Sequence, residues 1–145
     1  MAQGFAKRVT AFQWEDWSPA YTNLTIGNGT VISRFINIGK LVVCHFTFTL
    51  GSTSAVGTTP KVSLPVVAAS VYVANRNYVG ELVLDDITGS DFHGPIRLAS
   101  TTEATLLVYD SSGTYLGRAG ITATVPFTWA TGDIISFTMV YEGAT

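Results

Sequence analysis

Alternation of period two is the dominant signal in this chain. Between residues 40 and 50, Val42, Cys44, Phe46, Phe48 and Leu50 fall on one side, with His45, Thr47 and Thr49 on the other. Successive side chains of a strand point to opposite faces, so this run predicts a half-buried strand with its apolar side in a core. Residues 30–38 read as its antiparallel partner, with the reversal at Ile38-Gly39-Lys40. Near the C-terminal end, Ile135, Phe137, Met139 and Tyr141 alternate against Ser136, Thr138 and Glu142. Further β segments are expected near 62–67, 71–75, 79–84, 95–99, 104–109 and 121–127. Turn chemistry divides them at Asn75-Arg76-Asn77, Asp85 to Gly94, Asp110 to Gly113 and Thr131-Gly132-Asp133. Eight or so short strands without a long amphipathic helix predict an all-β fold, an antiparallel two-sheet β-sandwich of jelly-roll type. An immunoglobulin-like strand order fits the same pattern.

Residues 1–17 break the alternation. A helical period would gather Phe5, Val9 and Phe12, but no capping residues frame such a helix. The expected organisation is a short N-terminal arm, 1–17, followed by one β-sandwich domain, 18–145. No repeat of 20–50 residues is evident, and 145 residues suffice for one domain with a core.

Composition adds one point. Charged residues make up 12% of the chain, about half of the roughly 25% usual in soluble domains. Hydrophobic residues reach 47%, and the net charge is −2. Thr, Ser, Asn and Gly, or neighbouring subunits, must therefore cover the surface, and the expectation is self-association. The eight basic residues are scattered, with only Lys7-Arg8 adjacent, which argues against a nucleic-acid partner. The longest nearly apolar run, Val66 to Ala74, is too short to span a bilayer, and the first fifteen residues lack the apolar core of a secretory signal. The expectation is assembly in a cytoplasm without membrane insertion. The single Cys44 allows no internal disulfide.

Catalytic constellations are sparse, and no enzyme activity or cofactor is expected. Cys44 and His45 are adjacent in a predicted strand, so they face opposite ways. His93 falls in the expected turn from Gly89 to Pro95, and no G-x-S-x-G elbow occurs. The run Asp85-Asp86-Ile87-Thr88-Gly89-Ser90-Asp91 offers carboxylates but not the ordered ligand series of a calcium loop. It reads as turn chemistry, as does Asp110-Ser111-Ser112-Gly113, and no metal site is expected. Gly27-Asn28-Gly29 is a turn rather than a phosphate loop. Asn23-Leu24-Thr25 and Asn28-Gly29-Thr30 match glycosylation sequons, yet read as ordinary turn and strand residues.

One stretch is more specific. From Trp14 to Pro65 the chain reads W-E-D-W-S-P-A-Y-T-N-L-T-I-G-N-G-T-V, then R-F-I-N-I-G-K-L-V, then F-T-F-T-L-G-S-T-S-A-V, closing on S-L-P-V. This resembles the β-sandwich module of minor tail, fibre and decoration proteins of tailed bacteriophages, especially those of actinobacterial hosts. The resemblance covers residues 14 to about 68. It implies a non-enzymatic virion protein, a homotrimer displayed on the particle surface, with capsid or tail proteins as partners. Because the chain carries no fibre shaft, a capsid decoration or head-fibre role is expected ahead of a tail-tip module that recognises a host-surface glycan. A small polysaccharide hydrolase is the remote alternative. The attachment residues expected in or beside the arm are Phe5, Lys7, Arg8, Phe12, Trp14 and Trp17, since large aromatics make efficient anchors in a partner's pocket. For Trp17 a place in the domain's own core is an equal expectation. Tyr72, Tyr78, Tyr115 and Trp129 would suit sugar stacking if they clustered.

Overall fold

The structure is a computed structural model and describes residues 12–145. Among these residues there is no helix, and ten strands follow one another: β1 (Glu15–Asp16), β2 (Tyr21–Thr25), β3 (Thr30–Ile38), β4 (Leu41–Thr49), β5 (Ala55–Ser63), β6 (Tyr78–Asp85), β7 (Asp91–Leu98), β8 (Glu103–Asp110), β9 (Gly117–Gly120) and β10 (Ile134–Glu142). All ladders are antiparallel. They join into one path of order β1-β3-β4-β10-β6-β7-β8-β5-β2, with β9 beside the second half of β8. The strands β5 to β8 lie in the order 5-8-7-6, which is a Greek key read backwards.

This path cannot be flat. Between β3 and β2 lie seven inter-strand spacings, roughly 34 Å in a planar sheet. Yet β2 and β3 are joined by Ile26–Gly29 alone, which reaches at most about 18 Å. A bond from the Gly29 amide to the Ile26 carbonyl, 2.9 Å, shortens that link further. The sheet therefore curls strongly, as a half-barrel, and its two ends approach each other. The N-terminal segment crosses the remaining gap. Trp17 donates its amide to Ser33 on β3, and two bonds then tie Ala20 to Ser63 at the end of β5.

The core fills the concave side, and alternation decides who enters it. Val42, Cys44, Phe46, Phe48 and Leu50 are buried, as are Ile135, Phe137, Met139 and Tyr141. Phe46 and Phe137 are direct cross-strand partners, and their rings stack at 4.6 Å and 13°. Trp17 and Tyr21 tilt against Phe46 from the closing segment, at 6.2 and 6.4 Å. The β3–β4 reversal needs Gly39, whose φ of 60° is left-handed. Gly94 is required for another reason, because a Cβ there would lie 1.9 Å from the Leu107 carbonyl oxygen on β8.

Several expected elements are placed differently. Residues 71–75 form turns and not a strand, with Asn75 at φ 59°. They belong to the long connection from β5 to β6, held by bonds to Leu98 and Glu142. Residues 121–127 carry only an isolated bridge, Thr122 to Val125, and the strand in that region is β9. His93 lies within β7 rather than in the turn. The first half of β5 gave no alternating signal because Thr59 is left-handed at φ 50° and Pro60 lacks an amide. Residues 15–17 pack with the strands that follow, since β1 pairs with β3 and Trp17 is 7% exposed.

Candidate interaction face

The convex side of β3, β4 and β10 is less polar than a water-facing sheet surface usually is. Cross-strand register sets its rows. Ile36, Val43 and Val140 form one row, Arg34, His45 and Thr138 the next, and Ile32, Thr47 and Ser136 a third. At one end Ile38 stands opposite Leu41, which stands opposite Glu142. Ile32, Ile38, Leu41 and Val140 are exposed, Val140 by 50%. Neighbouring apolar side chains on one face of a sheet form a patch, and such patches mark interaction sites more often than isolated exposed residues do.

The N-terminal segment runs along the edge of β3, and Trp14 borders this face. Asp16 is the cross-strand partner of Arg34, and its Oδ1 lies 3.3 Å from the guanidinium Nε. The same guanidinium donates through Nη2 to the carbonyl of Trp14 at 3.0 Å. Arg34 thus grips the segment at two points, although an exposed ion pair contributes only about 0–1 kcal/mol. Trp14, Arg34, His45 and Thr138 line a shallow cleft of about 390 Å³. His45 Nδ1 sits 3.4 Å from Thr138 Oγ1. With Trp14 45% exposed and Phe12 similarly open, two of the expected attachment residues present their rings to solvent. Trp17 is different, because its ring is committed to the core against Phe46. Phe5, Lys7 and Arg8 lie outside the described residues.

The adjacent Cys44 and His45 are kept apart. Cys44 is fully buried while His45 is exposed on the opposite face. Burial pushes the Cys44 thiol up to about 12, offset in part by a hydrogen bond with Tyr141. Asp86 Oδ1 accepts from the Thr88 amide and hydroxyl, and Asp110 Oδ1 from the Ser112 amide, so both close their own turns. The Asp110 carboxyl is accordingly held low by that backbone bond. Asp133 is buried and accepts from Ile87 and Ala130, pinning the turn that leads into β10. Asn23 and Asn28 are also structural: the Asn23 amide donates to the Thr58 carbonyl, and Asn28 bonds Ser52 and Thr53.

Two of the four aromatics considered for sugar stacking, Tyr72 and Trp129, are engaged elsewhere. Tyr72 accepts from the Glu142 amide, and Trp129 packs on Phe127 at 4.4 Å. Tyr78 instead meets Arg118, a residue without any sequence signal. Arg34, the clamp on the segment, was equally silent, since one basic residue in an apolar strand reads simply as its outward face. Comparison of the chain with protein-family models, curated proteins and solved structures finds no match.

Proposed function

We propose that this chain is a non-enzymatic assembly module: an oligomeric β domain, trimeric by the resemblance of residues 14–68, displayed on the surface of a tailed-bacteriophage particle. Within that reading it decorates the capsid, and the segment leading into Trp17 is the attachment element. The observation that carries the assembly part is the convex face of β3, β4 and β10, where Ile36, Val43 and Val140 form an apolar row beside the exposed Trp14. The low charge content of the chain points the same way. The two-layer, jelly-roll-like arrangement belongs to this reading as well, and the Greek-key order of β5 to β8 favours it.

Sedimentation at micromolar concentration tests the assembly. The wild-type chain should run as one species near three chains, and Val140→Asp combined with Leu41→Asp should run as a monomer. A monomeric wild type overturns the assembly reading. Particles lacking the protein should take it up from solution, and Phe12→Ala with Trp14→Ala should lower their occupancy severely. Unchanged occupancy would move the attachment surface away from this segment.

A further inference from the structure

We propose that a cleft on the convex side of β6, β7, β8 and β9 binds a neutral saccharide through Tyr78, Glu81, Tyr109 and Arg118. It is a claim separate from the assembly reading, although Glu81 is the cross-strand neighbour of Thr138 and so borders the β3–β4–β10 face.

The register builds the site. Glu81 on β6 is opposite Pro95 on β7, and Tyr109 on β8 is opposite Arg118 on β9. Pro95 lines the cleft between β6 and β8 with a compact apolar ring, so a long side chain can pass from one strand to the other. Tyr109 does so, and its hydroxyl donates to Glu81 Oε1 at 2.7 Å. A second bond spans the cleft from the β9 side, where Arg118 Nε donates to the Tyr78 hydroxyl at 2.6 Å. The space bounded by these side chains with Leu116 is about 330 Å³, near the lower end for small-ligand pockets.

The chemistry of the lining selects the ligand. Two phenol rings supply apolar surface, and each ring is held by a hydrogen bond to a charged group, so little ordering is left to be lost on binding. Glu81 Oε2 and the terminal nitrogens of Arg118 make no hydrogen bond among the described residues. One is a pure acceptor and the others are pure donors. A vicinal diol donates from one oxygen and accepts at the next, which suits such a pair, while the C–H face of a pyranose suits a phenol ring. Among the lining residues the opposite charges of Glu81 and Arg118 cancel, so the lining itself favours neither an anion nor a cation. The combination of ring surface, one acceptor, one donor and no net charge describes a neutral sugar.

The test titrates the intact, isotope-labelled chain with neutral mono- and oligosaccharides of gluco, galacto, manno and arabino configuration, followed by amide spectra. At least one of these sugars should shift Gly80, Glu81, Gly117 and Arg118 saturably at millimolar concentration. Tyr109→Ala should weaken that binding about tenfold or more. Tyr109→Phe, which keeps the ring and frees Glu81, should weaken it less, and dispersed spectra show whether each variant is folded. Absence of saturable shifts with the whole panel overturns the proposal, as do shifts confined to another surface or a folded Tyr109→Ala that binds like wild type. Repeating the titration with the Val140→Asp, Leu41→Asp chain keeps failure of the assembly reading and failure of this one separately visible.

Discussion

The Tyr141 hydroxyl donates to the carbonyl oxygen of Val66 at 2.7 Å and accepts from the amide of the same residue at 3.3 Å. One phenol at the end of β10 thereby satisfies both backbone groups of a residue in the long connection between β5 and β6. Tyr141 is almost wholly buried, so water cannot replace it. Burial also raises its pKa, with the neighbouring Cys44 adding to the shift. Tyr141→Phe should keep the packing and lose both bonds, at a cost of about 1–3 kcal/mol in urea unfolding. A loss below a few tenths of a kcal/mol would mean that the connection is held by its other contacts.

Trp17 decides where the domain begins. Its ring packs on Phe46, and its backbone amide bonds to Ser33. A chain starting at Gln13 should retain the wild-type unfolding midpoint. One starting at Ser18 should lose about 3–5 kcal/mol, the usual cost of deleting a buried Trp side chain. Its indole nitrogen is buried without a partner among the described residues, so Trp17→Phe should cost less than Trp17→Ala. Equal stability of the two truncated chains would show that Trp17 contributes nothing to the core.

The Cys44 thiol should be inert in the folded chain. With its pKa pushed up to about 12, reaction with a thiol reagent at pH 8 should be far slower than in urea. The raised value also sets a pH dependence. The folded state favours the protonated thiol, so its contribution is complete below the unfolded value near 9 and is lost as pH rises towards 12. Cys44→Ala should remove that part of the alkaline loss of stability. Equal reaction rates in native and unfolded chains would put Cys44 on the wrong face and shift the β4 register by one residue.

Asp85 and Asp91 stand directly opposite each other on β6 and β7. Partial desolvation raises the Asp85 pKa, and the hydrogen bond and repulsion of Asp91 raise it further. A raised carboxyl favours folding when protonated, so its contribution is fully present below the ordinary aspartate value and lost as pH climbs through the raised one. Asp85→Asn should therefore be at least as stable as wild type at pH 7 and should flatten the pH profile in the acidic range. A destabilised Asp85→Asn at neutral pH would contradict this sign.

Much of the fold is legible in the chain because period two is a local property. The apolar sides of β4 and β10 can be read directly from residues 42–50 and 135–141, and so can the reversal at Gly39. Local signals failed where the backbone leaves the strand region. Asn23, Thr59 and Asn75 are all left-handed, and β2, the first half of β5 and the turns at 71–75 were accordingly obscured.

What the sequence determined by itself is the all-β class, the core faces of the long strands and the separation of Cys44 from His45. Only the tertiary structure decided which strands are neighbours. The curl that returns β2 to β3 follows from the order of the whole path, a property of no single segment. The same holds for both candidate sites. Arg34 finds Trp14 across twenty positions, Tyr109 finds Glu81 across twenty-eight, and Arg118 finds Tyr78 across forty. Strand alternation says that such residues face outward. Pairing alone decides which outward residues meet, and pairing is fixed by the burial of the opposite face.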